Sequence, residues 1–175
     1  APLVCYSNMD DSMHPRLLEY VVRHMNAHDW EVCTVLTARQ QLAEVAAGEM
    51  WSLASLKAMK LFHRPGAFTA WRCSLRDTIG VFDDEYYAAG DKEFWGRIID
   101  RGVTYGLVRK ILYIYSKSEH QLSKSPQGAQ RRQQDKERLL LTGYRRYWPY
   151  RIFPHYTIMR LVFRLYPRRY YVPPE

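Results

Sequence analysis

The sequence predicts an α/β fold, a mixed sheet with flanking helices, and three observations carry that expectation. The chain opens with a β-α-β pattern joined by short connections, the order that builds a sheet with helices packed on it. Two further strand-like runs, Val103 to Val108 and Ile111 to Tyr115, follow a helical stretch. With 175 residues, 47% hydrophobic and 25% charged, the chain is long enough for one domain with a real core.

Taken in order, Leu3 to Ser7 reads as a short buried strand that runs into an acidic cluster. Pro15 suits the first turn of a helix, with Ser12 or His14 near its cap. Leu17, Leu18, Val21, Val22 and Met25 recur at helical spacing, which predicts an amphipathic helix over 15–27. Glu31 to Leu36 has the β-branched content of a second strand. Residues 38–60, rich in Ala, Leu and Met, read as one or two helices, and Arg64-Pro-Gly66 breaks that pattern. Phe68 to Trp71 is extended, and Arg72 to Ile79 is a short helix closed by Gly80. Asp91 to Arg101 is another helix, closed by Gly102, with Phe94, Trp95, Ile98 and Ile99 on one face. The runs 103–108 and 111–115 flank Arg109-Lys110 and predict an antiparallel hairpin beside an otherwise mostly parallel sheet. Residues 116–128 are a polar loop and Ala129 to Tyr147 a charged helix.

No apolar run approaches the roughly 18–20 residues that a membrane span requires, and Ala1 to Tyr6 lacks the basic leader and cleavage site of a signal peptide. Cys5, Cys33 and Cys73 are odd in number and widely spaced, neither a disulfide framework nor a zinc pattern. They read as buried free thiols in a reducing cytosol. The net charge of +8 is uneven: from Tyr144 onward seven Arg and one Glu give +6, leaving +2 on the other 143 residues.

Two acidic clusters lie about 80 residues apart, Asn8-Met-Asp-Asp-Ser-Met-His-Pro15 and Gly80 to Arg97. Adjacent carboxylates after a strand suit a hard divalent cation such as Mg²⁺ or Mn²⁺, which keeps waters and substrate phosphates as its other ligands. The alternative is that Asp10, Asp11 and Ser12 cap the helix at Pro15. Asp91, at the entrance of a helix whose N–H groups stabilise its ionised form, can accept a proton from a hydroxyl nucleophile. Its alternative is again a helix cap, completed by Glu93. Asp83, Asp84 and Glu85 read as a structural turn.

Five motifs in order resemble the family 2 glycosyltransferases of the GT-A fold, over roughly residues 2–147. They are Asn8-Met-Asp-Asp with His14-Pro15; Trp71-Arg72 with Leu75; Gly80-Val-Phe-Asp-Asp-Glu-Tyr86; Ala89-Gly-Asp-Lys-Glu-Phe-Trp95 with Arg97; and Tyr113-Ile-Tyr115 leading to His120-Gln-Leu-Ser123. The resemblance implies a partial, Rossmann-like GT-A domain over 1–147, its C-terminal, acceptor-side part, because the chain starts at the strand before the metal cluster. It implies that Asp10 and Asp11 match the DXD-like element for Mn²⁺ or Mg²⁺ and the donor diphosphate, and that His120 lies near both. Asp91 matches the catalytic base, although Gly90 stands where the family's motif carries an acidic residue. Asn8, Trp71, Arg72, Glu93 and Trp95 are the implied substrate-binding residues. The implied reaction is an inverting transfer from a nucleotide-sugar donor, a UDP-sugar first among them, to a glycan or lipid-linked hydroxyl. Specificity is expected in the loops 38–70 and 116–128.

Residues 148–175 form a basic, aromatic tail. Tyr144 to Tyr171 holds ten aromatics, and Ile158, Leu161, Val162 and Leu165 recur at helical spacing with Arg160 and Arg164 on another flank. Such a segment either lies in an anionic membrane interface or packs on the domain with solvated arginines. The expected location is cytoplasmic and peripheral on the inner face of the membrane. A nucleic-acid partner is not expected, because the charge is confined to the tail and no RNA-binding motif is present. A non-catalytic glycosyltransferase-like remnant, an accessory domain for a membrane or partner, is the competing class.

Overall fold

A computed structural model describes residues 2–41, 50–62, 67–117, 125–143 and 156–174. Strands β1 (Leu3–Ser7), β2 (Ser12–Met13), β3 (Val32–Gln41), β4 (Lys60–Phe62), β5 (Phe68–Arg72) and β6 (Tyr105–Lys117) form one mixed sheet. Helices α1 (Leu17–Ala27), α2 (Leu53–Ala58), α3 (Arg76–Ile79), α4 (Gly90–Asp100), α5 (Pro126–Thr142) and α6 (Tyr156–Leu165) accompany it. The strand order is β1-β5-β3-β6-β2, with β4 paired to β3 off that path. The α/β class is therefore what the molecule has.

The sheet is not mostly parallel. Among the described strands only β3 and β6 pair in parallel, while β1–β5, β3–β5, β3–β4 and β2–β6 are antiparallel. The cause is the position of β5, which returns between β1 and β3. Phe68, Thr69 and Ala70 are fully buried, which a strand with neighbours on both sides allows. The outer strand β1 is partly exposed instead of buried, with Val4 and Tyr6 open to solvent. Because β1 and β3 are both antiparallel to β5, and β6 is parallel to β3, strands β1, β3 and β6 run the same way. Their carboxyl ends share one rim.

The expected hairpin at 103–115 is a single strand. Arg109-Lys110 bulge out of it, so that Val35 faces Val108 while Leu36 faces Ile111. Arg-Lys lacks the Gly, Asn or Asp that a two-residue reversal with positive φ demands, and a bulge absorbs the extra residues. β3 is also longer than expected and continues through Gln41. Ladder pairing with β6 overrides the helix propensity of Ala38-Arg-Gln-Gln41, leaving α2 as the described helix of that region. Residues 42–49 and Arg64-Pro-Gly66, and most of the expected 116–128 loop, lie outside the described residues.

Leu17, Val21 and Met25 recur every fourth residue and are buried, which seats α1 against β3 and β6. Neither Ser12 nor His14 is its N-cap residue; that is Arg16, without a side-chain cap bond, while Ser12 belongs to β2. α4 buries Phe94, Trp95 and Ile98 with Val32, Leu75, Ile79 and Val103. Gly80 (φ 75°) and Gly102 (φ 65°) close α3 and α4, a left-handed conformation that glycine adopts without Cβ strain. α5 starts three residues earlier than expected, because Ser125 caps it (Gly128 N–H to Ser125 Oγ, 3.0 Å) and Pro126 fits its first turn. Cys33 is buried, which pushes its thiol up to about 12, but Cys5 is exposed and Cys73 half-buried, against the expectation of three buried thiols.

The described part of the tail packs on the sheet. Phe163 and Tyr170 join Leu36, Ala38, Leu56, Ile111 and Ile114 in one buried cluster, and Val172 joins the α1 cluster. The bulge in β6 provides the anchor: Ile111 N–H donates to Tyr170 O (2.9 Å) and Lys110 Nζ to Arg169 O (2.8 Å). Residues 144–155 lie outside the described residues. No helix among those described is long and apolar enough to cross a membrane.

Candidate functional site

The carboxyl-end rim gathers side chains from three distant segments. After β1 the chain turns through Asn8-Met-Asp-Asp11 and pairs briefly with β6 as β2. The Asp11 carboxylate is held inside this turn. Its Oδ2 accepts from Asn8 Nδ2 (2.9 Å) and Tyr113 OH (2.8 Å), and its Oδ1 accepts from Ser116 N–H (2.8 Å). Tyr113 OH also accepts from Asn8 N–H (3.1 Å) and lies 3.1 Å from Ser7 Oγ. Asp11 thus staples the β1–β2 turn to the end of β6 instead of capping α1. Burial raises its carboxyl above the ordinary value, against the three hydrogen bonds that favour the ionised form. Burial likewise pushes the Tyr113 phenol well up, and Asp11 adds to that shift. Asp10, one residue earlier, is exposed.

Asp91 reaches the same rim from the other direction. α4 runs back along the sheet toward the start of β6, so its first turn stands beside the end of β1. Asp91 is half-buried there and accepts from Lys92 N–H (2.9 Å). It is not the helix cap, since the N-cap position is Ala89. Tyr6, the next-to-last residue of β1, feels the charge of both acidic segments. Its phenol is raised by burial first, then by the charges of Asp91, Asp11, Tyr115 and Asp10, and its hydroxyl donates to Asn8 Oδ1 (3.0 Å). Tyr6 therefore bonds Asn8 directly and lies within electrostatic reach of Asp10, Asp11 and Asp91.

The other expected site residues lie elsewhere. Trp71 faces Val4 and Val32 in the sheet, three residues from the rim, and packs on Phe94 (5.1 Å between ring centroids) and Phe82 (5.9 Å). Arg72, at the opposite end of the sheet, donates to Trp30 O (3.2 Å) and Met25 O (3.3 Å) and so ties α1 to β5. Glu93 is buried and forms a bidentate pair with Arg97 (2.6 and 2.7 Å). Arg97 in turn donates to the carbonyls of Ile79 and Val81. Trp95 is buried in the core and donates from Nε1 to Thr69 Oγ1 (3.3 Å). Glu93 and Trp95 thus sit in the scaffold under the rim. His120 lies outside the described residues.

Two features of this region escape sequence reasoning. Tyr6 draws no notice in the sequence and Tyr113 enters as part of a motif without a role, and only the structure reveals that both hydroxyls end at the acidic turn. Asp135 of α5 is buried, and its carboxylate accepts from Ala88 N–H (2.6 Å) and Tyr87 N–H (3.3 Å). It fixes the segment that leads into Asp91. A signal existed: Gly128, Asp135 and Leu139 share the inward stripe of an otherwise exposed helix, and an aspartate on such a stripe demands buried donors. The turn at Asp83 follows expectation, with Glu85 N–H donating to Asp83 Oδ1 (2.9 Å).

Among the described residues no group of three or more His, Cys, Asp and Glu side chains is placed to hold a metal ion. In comparison with protein-family models, curated proteins and solved structures, nothing matches this chain.

Proposed function

We propose that this chain carries the acceptor-side part of a GT-A glycosyltransferase domain similar to family 2, acting with inversion on a nucleotide-sugar donor, a UDP-sugar first among candidates, and a glycan or lipid-linked hydroxyl acceptor. One observation carries the reading: carboxylates from segments about 80 residues apart, Asp10 and Asp11 on one side and Asp91 on the other, lie near enough to Tyr6, at the end of β1, for their charges to raise its phenol. The carboxyl-end rim, where β1 ends, is where α/β sheets bind ligands.

Asp91 is the base. It accepts the acceptor's proton while the hydroxyl oxygen bonds to the anomeric carbon and the bond from that carbon to the diphosphate breaks. The first turn of α4 holds it in place, with Lys92 N–H donating to its carboxylate. Asp11 is occupied by three protein donors, so Asp10 is the carboxylate of this turn that would hold Mn²⁺ or Mg²⁺. A hard carboxylate oxygen suits such a cation, which keeps waters and substrate phosphates as its remaining ligands. When bound, it neutralises the diphosphate leaving group.

The test is nucleoside diphosphate release by the native full-length protein with Mn²⁺ and a panel of nucleotide sugars and acceptors. Asp91→Asn is expected to lower the rate about 10²–10⁴-fold with donor affinity retained. An unchanged rate ends the assignment. The commitment of Asp11 to the fold favours one second reading, a glycosyltransferase-like domain without turnover. Donor binding without any release would select it.

A further inference from the structure

We propose that the outer face of α6 seats the protein on an anionic bilayer. The helix has two apolar sides, and among the described residues one of them packs on the fold. Phe163 is 5% exposed and packs edge-on against Tyr170 (6.0 Å between ring centroids), with Val162 partly buried beside it. Leu161 and Leu165 stand one turn apart on the opposite side, since residues follow one another every 100° around a helix. They are 58% and 63% exposed, and Tyr166 just beyond them is 65% exposed.

This face cannot fold inward, because the segment behind it is pinned. Tyr170 O accepts from Ile111 N–H, Arg169 O from Lys110 Nζ, and Val172 O is 3.2 Å from His14 Nε2. The exposed leucines are therefore a fixed feature of the surface rather than part of a loose end.

Charge selects the occupant. Arg164 beside the leucines, and Arg168 and Arg169 in the turn that follows, are exposed, and no acidic residue occurs between Tyr156 and Pro174. A second copy of this face would bring like charges together. A nucleic acid would satisfy the arginines and leave the leucines in water. An anionic bilayer takes both, with leucines below the headgroups, Tyr166 at their level and arginines on lipid phosphates. At 10 residues the helix lies along the interface and does not cross it.

The proposal does not depend on sugar transfer, and its test reads binding alone. The full chain is co-sedimented with phosphatidylcholine vesicles with and without phosphatidylglycerol, at low and high salt. We expect partition onto the anionic vesicles, weakened by salt. The Leu161→Ser/Leu165→Ser variant should lower it by roughly tenfold or more. Arg164→Gln/Arg168→Gln/Arg169→Gln should lower it by roughly fivefold per arginine, toward the neutral-vesicle level. All five side chains point outward, so an unchanged thermal melt shows that each variant is folded. Failure of the wild type to bind anionic vesicles overturns the proposal, as does undiminished binding by the leucine variant. A wild-type dimer that the leucine variant abolishes, or a preference for a single-stranded oligonucleotide over the vesicles, overturns it as well.

Discussion

His14 gives the sharpest test of how this fold is held together. It is buried between β2 and α1, with its ring edge-on to Trp51 (4.8 Å between ring centroids). Nδ1 accepts from Arg16 N–H (3.1 Å) at the start of α1, and Nε2–H donates to Val172 O (3.2 Å) near the end of the chain. Only the neutral ring serves both partners, because a proton on Nδ1 removes the lone pair that Arg16 N–H uses. Burial, aided by the Arg16 charge, lowers the ring below its ordinary 6.5, against the Val172 hydrogen bond. A base with a depressed folded value contributes stability that is fully present above about 6.5 and is lost as pH falls through the folded value.

His14→Ala deletes two hydrogen bonds, each about 0.5–1.5 kcal/mol, and opens a void beside Trp51. The expected loss is about 2–4 kcal/mol, or roughly 4–16 °C in Tm for a chain of this length. Urea unfolding from about pH 8 to pH 5 separates the titration from the packing. The wild type should lose stability steadily below about pH 6.5, and His14→Gln should lose less over the same range. The two proteins differ at this one residue, so the difference between their profiles isolates His14. Parallel pH profiles would refute the buried-neutral account, and an undisturbed Tm in His14→Ala would refute the tethering.

Asp135→Ala should destabilise the fold by about 2–4 kcal/mol, because two backbone N–H groups lose a charged acceptor. Amide exchange at Tyr87 and Ala88 should speed up more than exchange in the β3–β6 ladder. Gly106→Ala would place a Cβ 2.1 Å from the Trp30 ring, so the ring must move at a cost of about 1–3 kcal/mol, visible as a shift in tryptophan emission. Asp11→Ala orphans Asn8 Nδ2, Tyr113 OH and Ser116 N–H and should cost about 2–4 kcal/mol. Since its folded carboxyl is raised, the Asp11 contribution is fullest below the unfolded value and declines as pH rises. The gap between wild type and variant should therefore narrow from acid toward neutral pH in denaturant titrations.

Local pattern revealed most of the helices but little of the pairing. The four-residue recurrence of Leu17, Val21 and Met25 and the closing glycines at 80 and 102 are determined within one or two turns, and the structure keeps them. Strand partners are set by contacts far apart in sequence. Nothing inside Phe68-Thr-Ala-Trp-Arg72 says that it enters between β1 and β3, so a β-α-β opening read as parallel pairing. Arg109-Lys110 looked like a turn because both residues are polar; a bulge exposes polar residues equally well and keeps the strand continuous. At the rim, the type and rough location of the carboxylates were legible. The difference between Asp10 and Asp11 was not, because it depends on where Tyr113 and Ser116 arrive from more than 100 residues away. The inward places of Glu93 and Trp95 were half legible, since Phe94, Trp95 and Ile98 mark the buried side of α4 and Glu93 precedes them by a single residue.

The segment between α3 and α4 carries a further argument about the rim. It is gripped at both ends by buried acids. At its start, Glu93 aims the Arg97 guanidinium at the carbonyls of Ile79 and Val81. At its end, Asp135 takes the N–H groups of Tyr87 and Ala88, three and two residues before α4 begins at Gly90. Each grip requires burying a charge, which is costly unless the charge is paired and hydrogen-bonded. A helix start that served only to turn the chain would be satisfied by water and a polar cap. Two such grips on one short segment fix the direction from which Asp91 meets Tyr6 and the Asn8–Asp11 turn. If Asp91 is the base proposed above, it needs that kind of support from groups outside the site.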